Sequence, residues 1–131
     1  MIRNVCAFAL VAAFVLAVVP AMAQPKTATE FYTAYRAAWA KAKSFTDIMA
    51  MHSKASQAQL AKIPADQQKM MFDMSKEMDP KDVKVVKETA TPTGTTLDLS
   101  GVGPDKKPVK GTAELVKEDG AWKMVKESWQ M

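Results

Sequence analysis

His52 is the sole imidazole in a chain of 131 residues, and the groups able to work beside it as acids or bases are few: Tyr32, Tyr35, Asp47, Asp73 and Asp98. Acid/base work needs a carboxylate or imidazole in a dry pocket, where desolvation lifts a carboxyl pKa toward the operating pH. Position tells against two of the carboxylates. Asp98 stands between Leu97 and Leu99 in a two-residue period and so points to the other side of a sheet, while Asp73 sits with Lys69 and Glu77 at helical spacing. Both read as solvated.

The second chemistry on offer is soft-metal binding. His52 lies near Met49 and Met51, and Met70, Met71, Met74 and Met78 follow. Thioethers with one imidazole suit Cu(I), and His52, Met49, Met51, Met71 and Met74 form the candidate set. Against it, methionines at helical spacing are ordinarily flexible core filler, and the ligands would have to converge from separate helices. Zinc wants several His or Cys ligands, and one histidine does not supply them.

Other chemistries lack carriers. Gly101-Val102-Gly103 precedes Pro104 between strands and neither follows a buried parallel strand nor opens a helix, so it is no dinucleotide fingerprint. There is no Gly-x-Ser-x-Gly, no phosphate-binding loop, and no cysteine beyond Cys6. No cofactor is expected.

The elements that would position these residues begin after residue 23. Arg3, an uncharged run over 5–19, Pro20 and then Ala21-Met22-Ala23 have the form of a signal peptide cleaved after Ala23. The run is shorter than the ~20 residues that span a bilayer. A periplasmic or secreted bacterial protein is therefore expected, with 24–131 forming one domain and no membrane span after cleavage. Cys6 leaves with the signal, so no disulfide supports the exported fold. The net charge of +4 falls by one without Arg3, and its lysines interleave with Glu88, Asp98, Glu114, Glu118 and Glu127. A solvated sheet face accounts for that mixture, and nucleic acid is not an expected partner.

Thr27 followed by Glu30 has the form of a capping box, and Phe31, Tyr35, Ala38, Ala42 and Phe45 recur at steps of four and three, extended on one side by Tyr32 and Trp39. Arg36, Lys41 and Lys43 fall to the wet face. Ser44 or Thr46 can cap a short turn through Met51, Ser53 another through Leu60, and Pro64 suits the start of a third helix that Asp79-Pro80 stops. Met71, Met74 and Met78 line one of its faces. From Val83 the period is two, with one slip in 83–90, and turns at 91–94, 101–108 and Asp119-Gly120 separate four strands. In the last strand Trp122 and Met124 share one face, and Val125 and Trp129 the other. Helices followed by strands predict an α+β fold: N-terminal helices packed on a curved four-stranded antiparallel meander.

The first helix "EFYTAYRAAWAKAKSFTDIMAM", the short helices behind it and the closing "GTAELVKEDGAWKMVKESW" resemble exported members of the nuclear-transport-factor-two-like superfamily, cone-shaped α+β domains in which a long helix crosses a curved sheet. The resemblance covers nearly all of 24–131, and its most specific part is the hairpin 115–125. One departure is that all helices precede the sheet, where the common form inserts one among the strands. The resemblance implies a hydrophobic cavity between helix and sheet, without implying a reaction. Its expected lining is Phe31, Tyr35, Trp39, Met71, Met74, Leu97, Leu115, Trp122 and Met124. The function expected is non-catalytic binding or scaffolding of a small apolar ligand or a partner side chain, with a homodimer formed through the sheet. The alternatives are an acid/base enzyme of the ketosteroid isomerase or dehydratase type, and a methionine-rich copper-binding envelope protein.

Overall fold

A computed structural model describes residues 25–131, and the signal segment expected over 1–23 lies outside them. Helix α1 spans Ala28–Lys41, a 3-10 segment spans Phe45–Met51, α2 spans Lys54–Ala61 and α3 spans Ala65–Glu77; strands β1 Lys81–Ala90, β2 Gly94–Val102, β3 Pro108–Glu118 and β4 Ala121–Gln130 follow. The strands pair antiparallel in the order β1-β2-β3-β4. The architecture is the α+β meander expected, with every helix ahead of the sheet. Among the described residues no helix is long and apolar enough to cross a membrane.

The caps follow sequence chemistry closely. Thr27 Oγ1 accepts the Glu30 N–H at 3.1 Å, although the Glu30 carboxylate takes its bond from the Lys26 N–H and so closes the turn one residue early. Asp47 accepts from the N–H groups of Lys43 and Ser44, fixing the entry to the 3-10 segment. Ser53 Oγ accepts the Ser56 N–H at the head of α2. Asp119 and Gly120 both take positive φ, 51° and 78°, which is the type I′ turn their pairing calls for.

The helical layer covers one face of the sheet. Phe31, Tyr32, Tyr35 and Trp39 of α1 pack with Ile48, Phe72, Leu97, Leu99, Ala113, Leu115 and Met124 in one buried cluster. Cross-strand pairing places Leu97 opposite Ala113 and Leu115 opposite Met124. Only Phe72 of α3 is fully buried. It meets Trp39 edge-on at 5.2 Å and Phe45 at 5.3 Å between ring centroids.

The register shifts at three places, once between Lys81 and Lys84 and at two further points that decide which residues lie toward the helices. In β1 the register steps between Val85 and Lys87, so Val86 is the slip seen in the sequence, and the exposed Glu88 accepts the hydroxyl of Thr29 on α1. In β4, Leu115 pairs with Met124 but Glu114 pairs with Lys126, leaving Val125 as an unpaired bulge. Past the bulge the parity flips. Trp129 pairs with Gly111 and packs against the core on the same side as Trp122 and Met124, not on the opposite face with Val125. The Val125 carbonyl accepts the Ser56 hydroxyl at 2.9 Å, and the Met124 carbonyl accepts the Ser53 N–H at 2.8 Å, so the start of α2 also covers the outer edge of β4.

Candidate functional site

Ionisable and aromatic groups converge at the C-terminal end of α1, where α3 hands over to β1 and β4 ends. Tyr35, Trp39, Phe45, Met78 and Trp129 wall a cleft of about 380 Å³, with Asp79 and Glu127 as its charged members. Tyr32, Tyr35, Arg36 and Trp39 arrive from one helix through steps of three and four. Asp79 stands at the Asp-Pro helix stop. Glu127 and Trp129 reach the site only because the Val125 bulge has turned them inward.

Arg36 organises the charges. Its guanidinium donates to both Asp79 oxygens at 2.8 and 3.1 Å, to the Pro80 carbonyl at 3.0 Å, and more loosely to Glu127 at 3.5 Å. Burial opposes its charge, yet the hydrogen bonds to Asp79 and the nearby Glu127 outweigh it and push the guanidinium above its usual range. The sequence pattern had assigned Arg36 to the wet face. Glu127 accepts from Tyr32 Oη at 2.8 Å and from Trp129 Nε1 at 2.9 Å. Burial, then the Glu127 charge, raise the Tyr32 phenol well beyond the ordinary tyrosine range, and Tyr35 moves the same way for the same causes. Both phenols are donors at any working pH.

Above the cleft, the Lys76 ammonium donates to the Trp39 carbonyl and lies 4.6 Å from the Trp39 ring centroid, pinning α3 to the last turn of α1. Trp39 Nε1 is buried with no hydrogen-bond partner among the described residues.

Tyr35 connects this site to His52. Its hydroxyl stands 3.3 Å from His52 Nε2, with the rings edge to face. Tyr35 lines the cleft, whereas His52 lines a separate small depression with Gln57, Glu118 and Lys123, so the pair lies between two openings. Burial lowers the His52 pKa below its ordinary 6.5. The unfolded chain therefore takes up a proton at His52 as pH falls through 6.5, and the fold resists it. His52's contribution to stability is complete above pH 6.5 and is lost as pH drops from there toward the lower folded value. His52→Gln should flatten that part of the profile: urea midpoints at pH 7.5 and 5 should lie closer together in the variant than in the native chain.

The other sequence candidates separate clearly. Asp47 is spent on its backbone cap, Asp73 pairs with Lys69 at 2.8 Å on the surface, and Asp98 is exposed on the far side of the sheet. Of the expected cavity lining, Tyr35 and Trp39 border the cleft; Phe31, Leu97, Leu115 and Met124 fill the space between α1 and the sheet as solid core. Trp122 sits at the opposite end of α1, its Nε1 3.5 Å from the Lys26 carbonyl and its ring under the Lys117 ammonium. Met71 and Met74 are exposed, because the buried face of α3 is the one carrying Phe72. Sequence reasoning missed Arg36, Asp79, Glu127 and Trp129. A signal for Arg36 was present: after Arg3 it is the only arginine in a chain whose other cations are all lysine, and a planar fork suits a bidentate, half-buried carboxylate where an ammonium does not.

Among the described residues His, Asp and Glu form no group of three or more that could hold a metal ion. No protein-family model matches the chain, and no curated protein matches it. The solution structure of a SEC-C motif containing protein from Rhodopseudomonas palustris is similar in fold, with a TM-score of 0.55 at 14% identity over 76% of this chain and 75% of that one.

Proposed function

We propose that the protein is an exported, non-catalytic binding domain of the nuclear-transport-factor-two-like kind, and that its site is the cleft at the C-terminal end of α1. The observation that carries this reading is the wall of Tyr35, Trp39, Phe45, Met78 and Trp129 around about 380 Å³, with Glu127 and Asp79 at one side. That volume, with aromatic and thioether walls beside a comparable polar share from Ser75, Asp79 and Glu127, suits a small ligand with an apolar body or a partner's side chain. The carboxylates are already engaged by Arg36, Tyr32 and Trp129, so they orient the walls more than they offer free bases. The same reading includes a second copy paired across the open face of the sheet, where Val86, Ser100, Thr112 and Ser128 border a groove.

The three tryptophans test it. They report on two ends of α1, about 20 Å apart at 1.5 Å per residue. Titration with the apolar probe 1-anilinonaphthalene-8-sulfonate should move the indole N–H resonances of Trp39 and Trp129 and leave Trp122 in place. A shift at Trp122 alone would overturn the assignment.

A second reading, an acid/base enzyme for a small substrate, is favoured by one contact, the Tyr35 hydroxyl against His52. It requires substrate to reach one of the two partners from its own opening. Chemical change in a ligand that copurifies with the native chain, abolished by His52→Gln, would establish it.

A further inference from the structure

Four large apolar side chains on one helix face water: Met70 is 63% exposed, Met71 43%, Met74 58% and Met78 49%. Core packing, the ordinary reason for methionine at helical spacing, does not account for them, since Phe72 is the one residue of α3 that the core buries. At about 100° per residue, Met70, Met74, Met78 and Met71 fall within one stripe about 100° wide, opposite Phe72 and Lys76. Residues three and four apart on such a face have Cβ atoms about 5–6 Å from each other. Methionine is unbranched and flexible, so the sulfurs of Met70, Met71 and Met74, which are one, three and four residues apart, can meet at one point, whereas Met71 and Met78 are separated by about 10.5 Å of helix rise and cannot share an ion.

We infer that this stripe is a binding site for one soft monovalent cation, Cu(I) or its analogue Ag(I), held by the sulfurs of Met70, Met71 and Met74, with Met78 one turn beyond them. The donor set selects the ion: neutral, polarisable thioethers favour Cu(I) and offer little to Mg²⁺, Ca²⁺ or Zn²⁺. Glu77 is exposed on the adjoining turn and supplies a compensating negative charge near the stripe, while Asp73 is already paired with Lys69. The site differs from one built around the imidazole. His52 faces Tyr35 from the 3-10 side of the molecule, and Met51 packs against the core. It is also separate from the cleft, whose lining takes Met78 but none of Met70, Met71 and Met74.

The test is an Ag⁺ titration of the full chain carrying Cys6→Ser, in chloride-free buffer, followed by the methyl resonances of the methionines labelled at Cε. The expected result is a saturable phase at one equivalent in which Met70, Met71 and Met74 move together. M70L/M71L/M74L, which keeps helix propensity and side-chain bulk on an exposed face, should lose that phase while retaining native circular dichroism. M49L/M51L should keep it. Silent stripe methyls, or a triple variant that still binds one equivalent, would overturn the inference. So would stripe methyls that respond to protein dilution and not to Ag⁺, since the face would then be a contact between copies.

Discussion

Arg36→Met should lower the unfolding free energy by about 3 kcal/mol, at the lower edge of what removing one member of a buried ion pair costs. The side chains of Arg36, Asp79 and Glu127 are 17%, 25% and 18% exposed, so water screens the orphaned carboxylates only in part. Methionine fills most of the aliphatic volume of arginine, which confines the loss to the guanidinium. That group ties α1 to two other parts of the chain: Asp79 and the Pro80 carbonyl where α3 gives way to β1, and Glu127 on β4. Asp79→Asn should be milder, because Arg36 would keep Glu127 and the Pro80 carbonyl, and Glu127 would keep its bonds from Tyr32 and Trp129. Urea midpoints for the two single variants and the double variant close the cycle. A double variant no worse than Arg36→Met alone is the expected outcome, and strict additivity would mean that the two side chains do not share an interaction.

Most of the fold could be read from residues whose information is local. Thr27 and Ser53 accept hydrogen bonds from N–H groups three residues on, and Asp119-Gly120 supplies consecutive positive φ values. Phe31, Tyr35 and Trp39 recur at the helical step, and Leu97 and Leu99 alternate with Asp98. Each of these depends on a span of a few residues. The site was legible only where it uses the same local pattern, through Tyr35 and Trp39. Its charged half depends on register. An unbroken two-residue period through β4 sends Glu127 and Trp129 in the wrong directions relative to Met124, and nothing around Val125 in sequence announces a bulge. The device that permits it, the Ser56 hydroxyl on the Val125 carbonyl, comes from 69 residues earlier. Arg36 was misplaced for a related reason: helical periodicity ranks residues by hydrophobicity, and it gives a cation no inward position unless its distant carboxylates are already known. The methionines of α3 failed in the opposite sense. Periodicity grouped Met71, Met74 and Met78 correctly on one face, but which face of a helix is buried depends on its strongest anchor, here Phe72.

The same register makes Gly111→Val the other severe substitution, with an expected loss of about 3 kcal/mol, the upper end for overpacking a well-filled interior. Gly111 is buried in β3 directly opposite Trp129, and a Cβ placed there would lie 2.6 Å from the Trp129 ring and 2.7 Å from the Ser128 carbonyl oxygen. Backbone oxygen in the pairing strand cannot yield without breaking the β3–β4 ladder, so the indole must leave first. Valine suits a strand intrinsically, which makes the predicted sign a test of this contact and not of propensity. Because Trp129 is both the obstacle and a wall of the cleft, its displacement should also free Glu127 of one donor and abolish the response of the Trp39 indole to 1-anilinonaphthalene-8-sulfonate. Gly111→Val combined with Trp129→Ala should recover a large part of the lost stability, since truncating the ring removes the shortest contact. Failure of that rescue, with the single variant as unstable as expected, would place the conflict on the Ser128 carbonyl and the strand pairing itself.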